Sequence, residues 1–369
     1  MALGDTANEQ GDTSVAVGGS AYAGSDNGID IGKGAYVAQL GDWDIAGLHV
    51  KHPTEGIAIG AYSSVTGVYG TAIGGYSVAG GKYATALGSK ADAGGKFSTA
   101  LGGRATAGAE QATSVGAYSE ASAVASSAFG KGAYAGNLAS TALGVDTVAT
   151  GIESTAIGST SWASGDLSIA IGHYANATGI GSIASGYVAR ATGDTSIAEG
   201  VFAQSSGSQS NAMGYSATAS GYASNAIGSN ANASGISATA LGDTTVAEGD
   251  YSLAAGSFAV ATGESSSALG DTANALGDYS TAVGASAYAS GSGSVALGSH
   301  ATELSDNGIA IGNGAYVAAH YSGAPTRCIA IGYQAAATGK GSIAIGNGAH
   351  TAGAGTYAIA MDNNAYVGR

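Results

Sequence analysis

Ser280-Thr281-Ala282-Val283-Gly284-Ala285-Ser286-Ala287-Tyr288-Ala289-Ser290-Gly291 is one copy of a phrase that returns through most of this 369-residue chain. Its glycine, Gly284, belongs to a series that recurs every 14 residues from Gly60 to Gly312 without a slip. A period this short and strict implies one structural unit stacked on itself, with neighbouring copies sharing a continuous core. With that glycine as position 0, position −1 is nearly always a large apolar residue, whereas −4, −2, +3 and +5 are Ser, Gly or Ala. Alternation of period two is the strand signature, and it covers two short segments per copy. Glycines at 0 and usually at +7, such as Gly67, Gly151, Gly165 and Gly291, mark turns that need φ > 0 or leave no room for a Cβ. Each repeat therefore gives two strands and two turns, one coil of an all-β solenoid. About two dozen such coils at about 4.8 Å each would make one continuous body of roughly 115 Å over residues 1–369.

A two-stranded coil has little space between its strands, so the small columns must face inward and form a thin core. The −1 column then lies outside: Ile59, Ile73, Leu87, Leu101, Val115, Phe129, Leu143, Ile157, Ile171, Ile227, Leu241, Leu269, Val283, Leu297 and Ile311. Left open it would be a stripe far larger than the few hundred Å² that monomers usually expose. Burying each side chain would contribute about 1.5–3 kcal/mol. The expectation is that copies of the chain pack on one another along this column.

The phrase Ser-x-Ala-Ile/Leu-Gly-x-x-Ala-x-Ala-x-Gly resembles the head repeat of trimeric autotransporter adhesins, the YadA-like head, over almost the whole chain. The resemblance implies a left-handed parallel β-roll, three chains around a threefold axis, and the −1 column as the trimer interface. It implies a bacterial surface protein with an outer-membrane anchor outside this segment, whose ligand is an extracellular matrix protein or a glycan. A phage tail-fibre or structural filament segment, carried on a virion, uses the same physics and is the alternative. A further alternative is an ice-binding solenoid, because −3 forms a threonine ladder (Thr71, Thr85, Thr99, Thr113, Thr141, Thr155). That ladder shares its face with −1 and would be covered in a trimer.

The formal net charge of −14 argues against nucleic acid or an anionic membrane as partner. No apolar run is long enough to span a bilayer, and no neck, stalk or anchor sequence is recognisable. Ala2-Leu3-Gly4-Asp5-Thr6-Ala7-Asn8 repeats Ala268 to Asn274, so Met1 falls inside a coil and a segment of a longer protein is expected. The period breaks between Gly32 and Gly60 and between Gly312 and Gly332, which places insert loops at about 39–56 and 319–328. Both prolines lie there, as expected of segments that leave paired strands.

No nucleophile elbow, phosphate-binding glycine loop or paired-cysteine metal motif is present, so the chain reads as neither an enzyme nor a cofactor protein. His49-Val50-Lys51-His52 lies close to Asp42, Asp44 and Glu55, but it lacks a third fixed ligand and reads as a solvated polar loop. Ligand-binding candidates come from the inserts: Asp42, Trp43, Asp44, His49, His52, Tyr321 and Arg327. Glu199 and Ser185 interrupt the apolar −1 column. Tyrosines at +4 (Tyr22, Tyr36, Tyr134, Tyr288, Tyr316) alternate with inward alanines and should point outward, where they suit protein or glycan contact.

Overall fold

In a computed structural model, residues 1–37, 55–318, 327–352 and 357–368 are described, together with the backbone of 44–45 and 48–49. Two units, residues 1–182 and 183–369, are built on one plan. In the first unit Thr71–Ile73 pairs in parallel with Thr85–Leu87, each residue opposite the one 14 positions on. Ser64–Val65 pairs in the same way with Val78–Ala79. The second unit repeats this at Thr281–Val283 on Val295–Leu297 and Tyr288–Ala289 on Thr302–Glu303. The register of the sheets is thus the period of the sequence, and the chain is an all-β parallel solenoid.

The inward columns are as small as the two-strand cross-section demands. Ala58, Ala72, Ala79, Ala86 and Ala93 have no accessible surface, and Val37, Val65 and Val317 are the largest apolar side chains in the interior. At several of the serines in these columns a turn carbonyl lies within reach. Ser63 and Ser77 donate their hydroxyls to the carbonyls of Gly60 and Gly74 at 3.0 and 2.9 Å, and Ser154 does so to Gly151 at 2.7 Å. Other serines of these columns, Ser98 and Ser168 among them, have hydroxyls without a partner.

The turns obey a finer rule than the glycine pattern alone suggests. Ser63 N–H bonds to Gly60 O at 3.3 Å and Gly70 N–H to Gly67 O at 3.1 Å, and each closes a four-residue turn. The third residue of each turn, at +2 or +9, has positive φ, as a type II turn requires. Large residues fill it: φ is +57° at Tyr62, +60° at Tyr69 and Tyr83, and +58° at Phe97. The glycine at 0 also has positive φ, +131° at Gly60, and a Cβ there would stand 2.6 Å from the carbonyl of Gly74 in the next coil. At the +7 glycine Gly67 space rather than φ is the limit, since a Cβ would lie 1.9 Å from Gly81 O, whereas other coils hold Ala109, Ala123 or Asn137 at +7.

The period breaks leave the stack closed. Across the first, Ile29, Asp30 and Ile31 pair directly with Ile57, Ala58 and Ile59. Across the second, Ile309 pairs with Ile329. Asp44–Ile45 and Leu48–His49 form an antiparallel pair within the first insert. The coils resume at position −4 with Gly56 and Cys328, both buried, and the Cys328 thiol donates to Gly339 O at 3.0 Å.

Candidate binding surfaces

Each coil presents two outer sheet faces and two turns. The face of the three-residue strands carries the apolar −1 column, and no member of it is buried within one chain. Leu143 and Leu241 are 47% and 48% exposed, and Leu87, Leu101, Phe129, Ile171, Ile227 and Leu297 are also exposed. Ile59, Ile73, Val115, Ile157, Leu269, Val283 and Ile311 are half-buried by their ladder neighbours. Exposed Glu199 stands in this column between Ser185 and Met213. Of the −3 residues beside it, Thr71, Thr99, Thr113, Thr141 and Thr155 are half-buried and Thr85 is exposed.

The face of the two-residue strands carries the +4 column. Tyr36 and Tyr316 are exposed there and Tyr22, Tyr134 and Tyr288 half-buried, while the +5 residue beside each, Val37, Val317, Ala23, Ala135 and Ala289, points into the core. Tyr22 and Tyr36 stack with centroids 5.3 Å apart. Trp162 is a further exposed member of this column.

Of the insert residues, Asp42, Trp43, His52 and Tyr321 lie outside the described residues. Asp44 and His49 face each other as backbone partners of the antiparallel pair. Arg327 is exposed, and it lines a shallow depression with Lys340, Gly341 and Tyr357.

Two features are not singled out by the sequence, and a third only in part, since the tyrosines recurring at +2 (Tyr62, Tyr76, Tyr118, Tyr174) are visible there but their stacking is not. Asp30 takes a −2 position and Glu303 a +5 position, both fully buried in columns of alanine and serine. Burial pushes the Asp30 carboxyl up to about 7, against the opposing effect of a hydrogen bond from Val37 N–H. Burial likewise raises Glu303, whose Oε1 accepts the Ser305 N–H at 2.7 Å and hydroxyl at 2.6 Å, both of which oppose the rise. Their column positions are the signal: each is the buried carboxylate of its column. The third feature is the pair of turn ridges at +2 and +9, where side chains of successive coils stack. Tyr62 and Tyr76 lie 5.0 Å apart at +2, and Tyr69, Tyr83 and Phe97 form a continuous stack at +9 with spacings of 5.0 and 5.1 Å. Among the described residues no group of three or more His, Cys, Asp and Glu is placed to hold a metal ion.

The family profile of the YadA head domain repeat matches this chain at residues 54–77, 66–91, 79–105, 93–119, 135–161, 149–175, 177–203, 233–259, 261–287, 277–301 and 329–349. The crystal structure of the collagen-binding domain of Yersinia adhesin YadA is similar at 23% identity and a TM-score of 0.21, covering 48% of this chain and 68% of that one. A search of curated proteins finds no match. The profile matches together take in more than half of the chain, both units included, and their repeat is the coil described above. The chain belongs to the YadA head-repeat family and is an adhesin head domain.

Proposed function

We propose that three copies of this chain pack through their −1 faces into a homotrimeric head, which holds a bacterium to an extracellular matrix protein or a glycan through its outward surfaces. The observation that carries this reading is the apolar −1 column, which runs along each unit and stays open to water in a single chain. A surface of that extent needs a cover, and a copy of the same periodic column matches it coil for coil. Multivalence follows from the repeat: three chains with many near-equivalent coils convert weak single contacts into avidity.

The test is absolute mass in solution by light scattering behind a sizing column. The expected result is a particle of three 34.9 kDa chains. A monodisperse monomer would overturn the reading and leave the −3/−1 face free for the ice-binding alternative. Binding to immobilised matrix proteins, with collagen as the first probe, and to a glycan array then addresses the ligand class.

A further inference from the structure

The chain is acidic overall, yet one stretch reverses the sign. Residues 60–133 hold five cations (Lys82, Lys90, Lys96, Arg104, Lys131) against three carboxylates (Asp92, Glu110, Glu120), within a chain of net charge −14. The fold sorts these charges. Six successive turns of the +2 ridge, beginning at Gly60, Gly74, Gly88, Gly102, Gly116 and Gly130, contain no carboxylate, and the next carries Asp146. Along that ridge the third turn residues run Tyr62, Tyr76, Lys90, Arg104, Tyr118, all exposed and all at φ between +57° and +60°. Parallel register sets them about 4.8 Å apart, so hydroxyl, hydroxyl, ammonium, guanidinium and hydroxyl follow one another over about 20 Å.

Two observations keep these groups available. Among the described residues the ion pairs are Met1 with Glu9 and Lys96 with Glu110, so neither Lys90 nor Arg104 is neutralised by a carboxylate. Asp92, two residues beyond Lys90, and Glu120, two beyond Tyr118, lie on the adjoining sheet face and pair with neither cation. The Arg104 guanidinium rests 5.3 Å from the Tyr118 ring centroid, which holds it in place while leaving its donors open. Lys90, Arg104 and Tyr118 together line a shallow depression with Ser89, Gly103 and Ala117.

We propose that this ridge is a binding site for a sulfated, extended polysaccharide lying along the stack. Guanidinium and ammonium groups match sulfate and carboxylate oxygens, and the tyrosine hydroxyls donate to the same oxygens or to sugar hydroxyls. The acidic remainder of the chain repels any polyanion that overruns the ridge, so the contact is confined to a short charged stretch of the ligand. Ring orientation argues against nucleic acid: Tyr62 and Tyr76 stack face to face on each other, so the ridge presents hydroxyl edges rather than platforms for bases. The inference rests on the adhesin reading above and narrows its ligand class.

The experiment measures binding of a fluorescein-labelled heparin decasaccharide to the full chain by anisotropy, beside its desulfated counterpart and a short DNA duplex. Lys90→Ser with Arg104→Ser is the site variant; serine occupies the same turn position at Ser216 and Ser286, so the coil accepts it. Lys82→Ser with Lys96→Ser, on the opposite turn ridge, is the charge-matched control. The expected result is binding of the sulfated probe alone, weakened about 10–100-fold in the site variant and little changed in the control. Equal loss in both variants, equal binding of the duplex, or no binding by the parent chain overturns the site. Mass and collagen binding are read on the same preparation. A trimer that binds collagen but not heparin sinks the ridge alone, whereas a monomer sinks the reading beneath it.

Discussion

Val37 donates its backbone N–H to Oδ2 of Asp30 at 3.2 Å across the interior of one coil, and Oδ1 of the same carboxylate has no partner. Ala16 and Ala58 are its ladder neighbours, so the column brings no charge beside it. A buried, half-satisfied carboxylate favours its protonated form, and its folded value of about 7 lies above the unfolded one. Stability is therefore greatest below the unfolded value of about 3.9, falls as pH rises toward about 7, and levels off above it. Asp30→Asn keeps the size without the charge. Melting temperature compared at pH 5 and pH 8 should show a smaller drop in the variant, with the variant the more stable at pH 8. An unchanged drop would mean that the carboxylate is hydrated in solution. Glu303 has the same sign with a smaller expected effect, since Ser305 supplies two hydrogen bonds to its charged form.

Gly74 and Gly75 are adjacent in sequence and opposite in tolerance. A Cβ on Gly74 would lie 2.4 Å from Gly88 O at φ +136°, whereas one on Gly75 meets only Ala61 O at 3.8 Å. Other coils already place alanine or serine at the second site, as at Ala61, Ser89 and Ala117. Gly74→Ala should lose about 2–5 kcal/mol of stability by denaturant titration, because strain and backbone overlap add. Gly75→Ala should be within about 0.5 kcal/mol of the parent. Similar losses at the two sites would show that glycine is kept for flexibility rather than for the approach of the next coil.

This pair also shows what was legible in advance and what was not. Period and alternation depend on every coil meeting the same neighbours, so the small columns, the register and the outward −1 column could be read from one chain. The distinction between position 0 and +7 could not, because the next coil's carbonyl approaches both, and only at 0 does the glycine's own φ add to the limit. The left-handed residues were hidden for a similar reason. No intrinsic preference places Tyr83 or Phe97 at positive φ, and the stack of turns imposes it. Asp30 and Glu303 were visible as letters, but a single carboxylate among many surface ones acquires meaning only once its column is known to be closed. Of the insert candidates, Asp44 and His49 are brought opposite each other and Arg327 belongs to the other unit, and the pairing was not foreseeable outside the repeat.

Ala125 and Tyr83 share the +9 turn position at φ +57° and +60°, but only Tyr83 is stacked, between Tyr69 and Phe97. A non-glycine residue in this region costs about 1–2 kcal/mol, and glycine gives back part of the gain through backbone entropy. Ala125→Gly should therefore stabilise the chain by about 0.5–1 kcal/mol. Tyr83→Gly should destabilise it, since two ring contacts each worth about 0.5–1.5 kcal/mol are lost together with their buried area. Denaturation midpoints that move in the same direction for both would remove the stacking account of the turn ridges.

Glu199 breaks the apolar column at a point where the proposed threefold assembly would gather three like carboxylates. It is exposed in a single chain, with Ser185 and Met213 on either side in the ladder. If the −1 face is the interface, three such charges about one axis repel one another unless a cation, water or protonation relieves them. Glu199→Leu removes that repulsion and restores the column, adding up to about 1.5–3 kcal/mol of burial per chain. The expected outcome is a higher melting temperature that depends on chain concentration, and slower dissociation on dilution, at pH 8. Glu199→Gln should fall between the two, since it removes charge without adding apolar area. In a chain whose −1 face stays in water, Glu199→Leu would instead lower solubility and leave the melting temperature independent of concentration. The two pictures of this face are thus separated by one substitution.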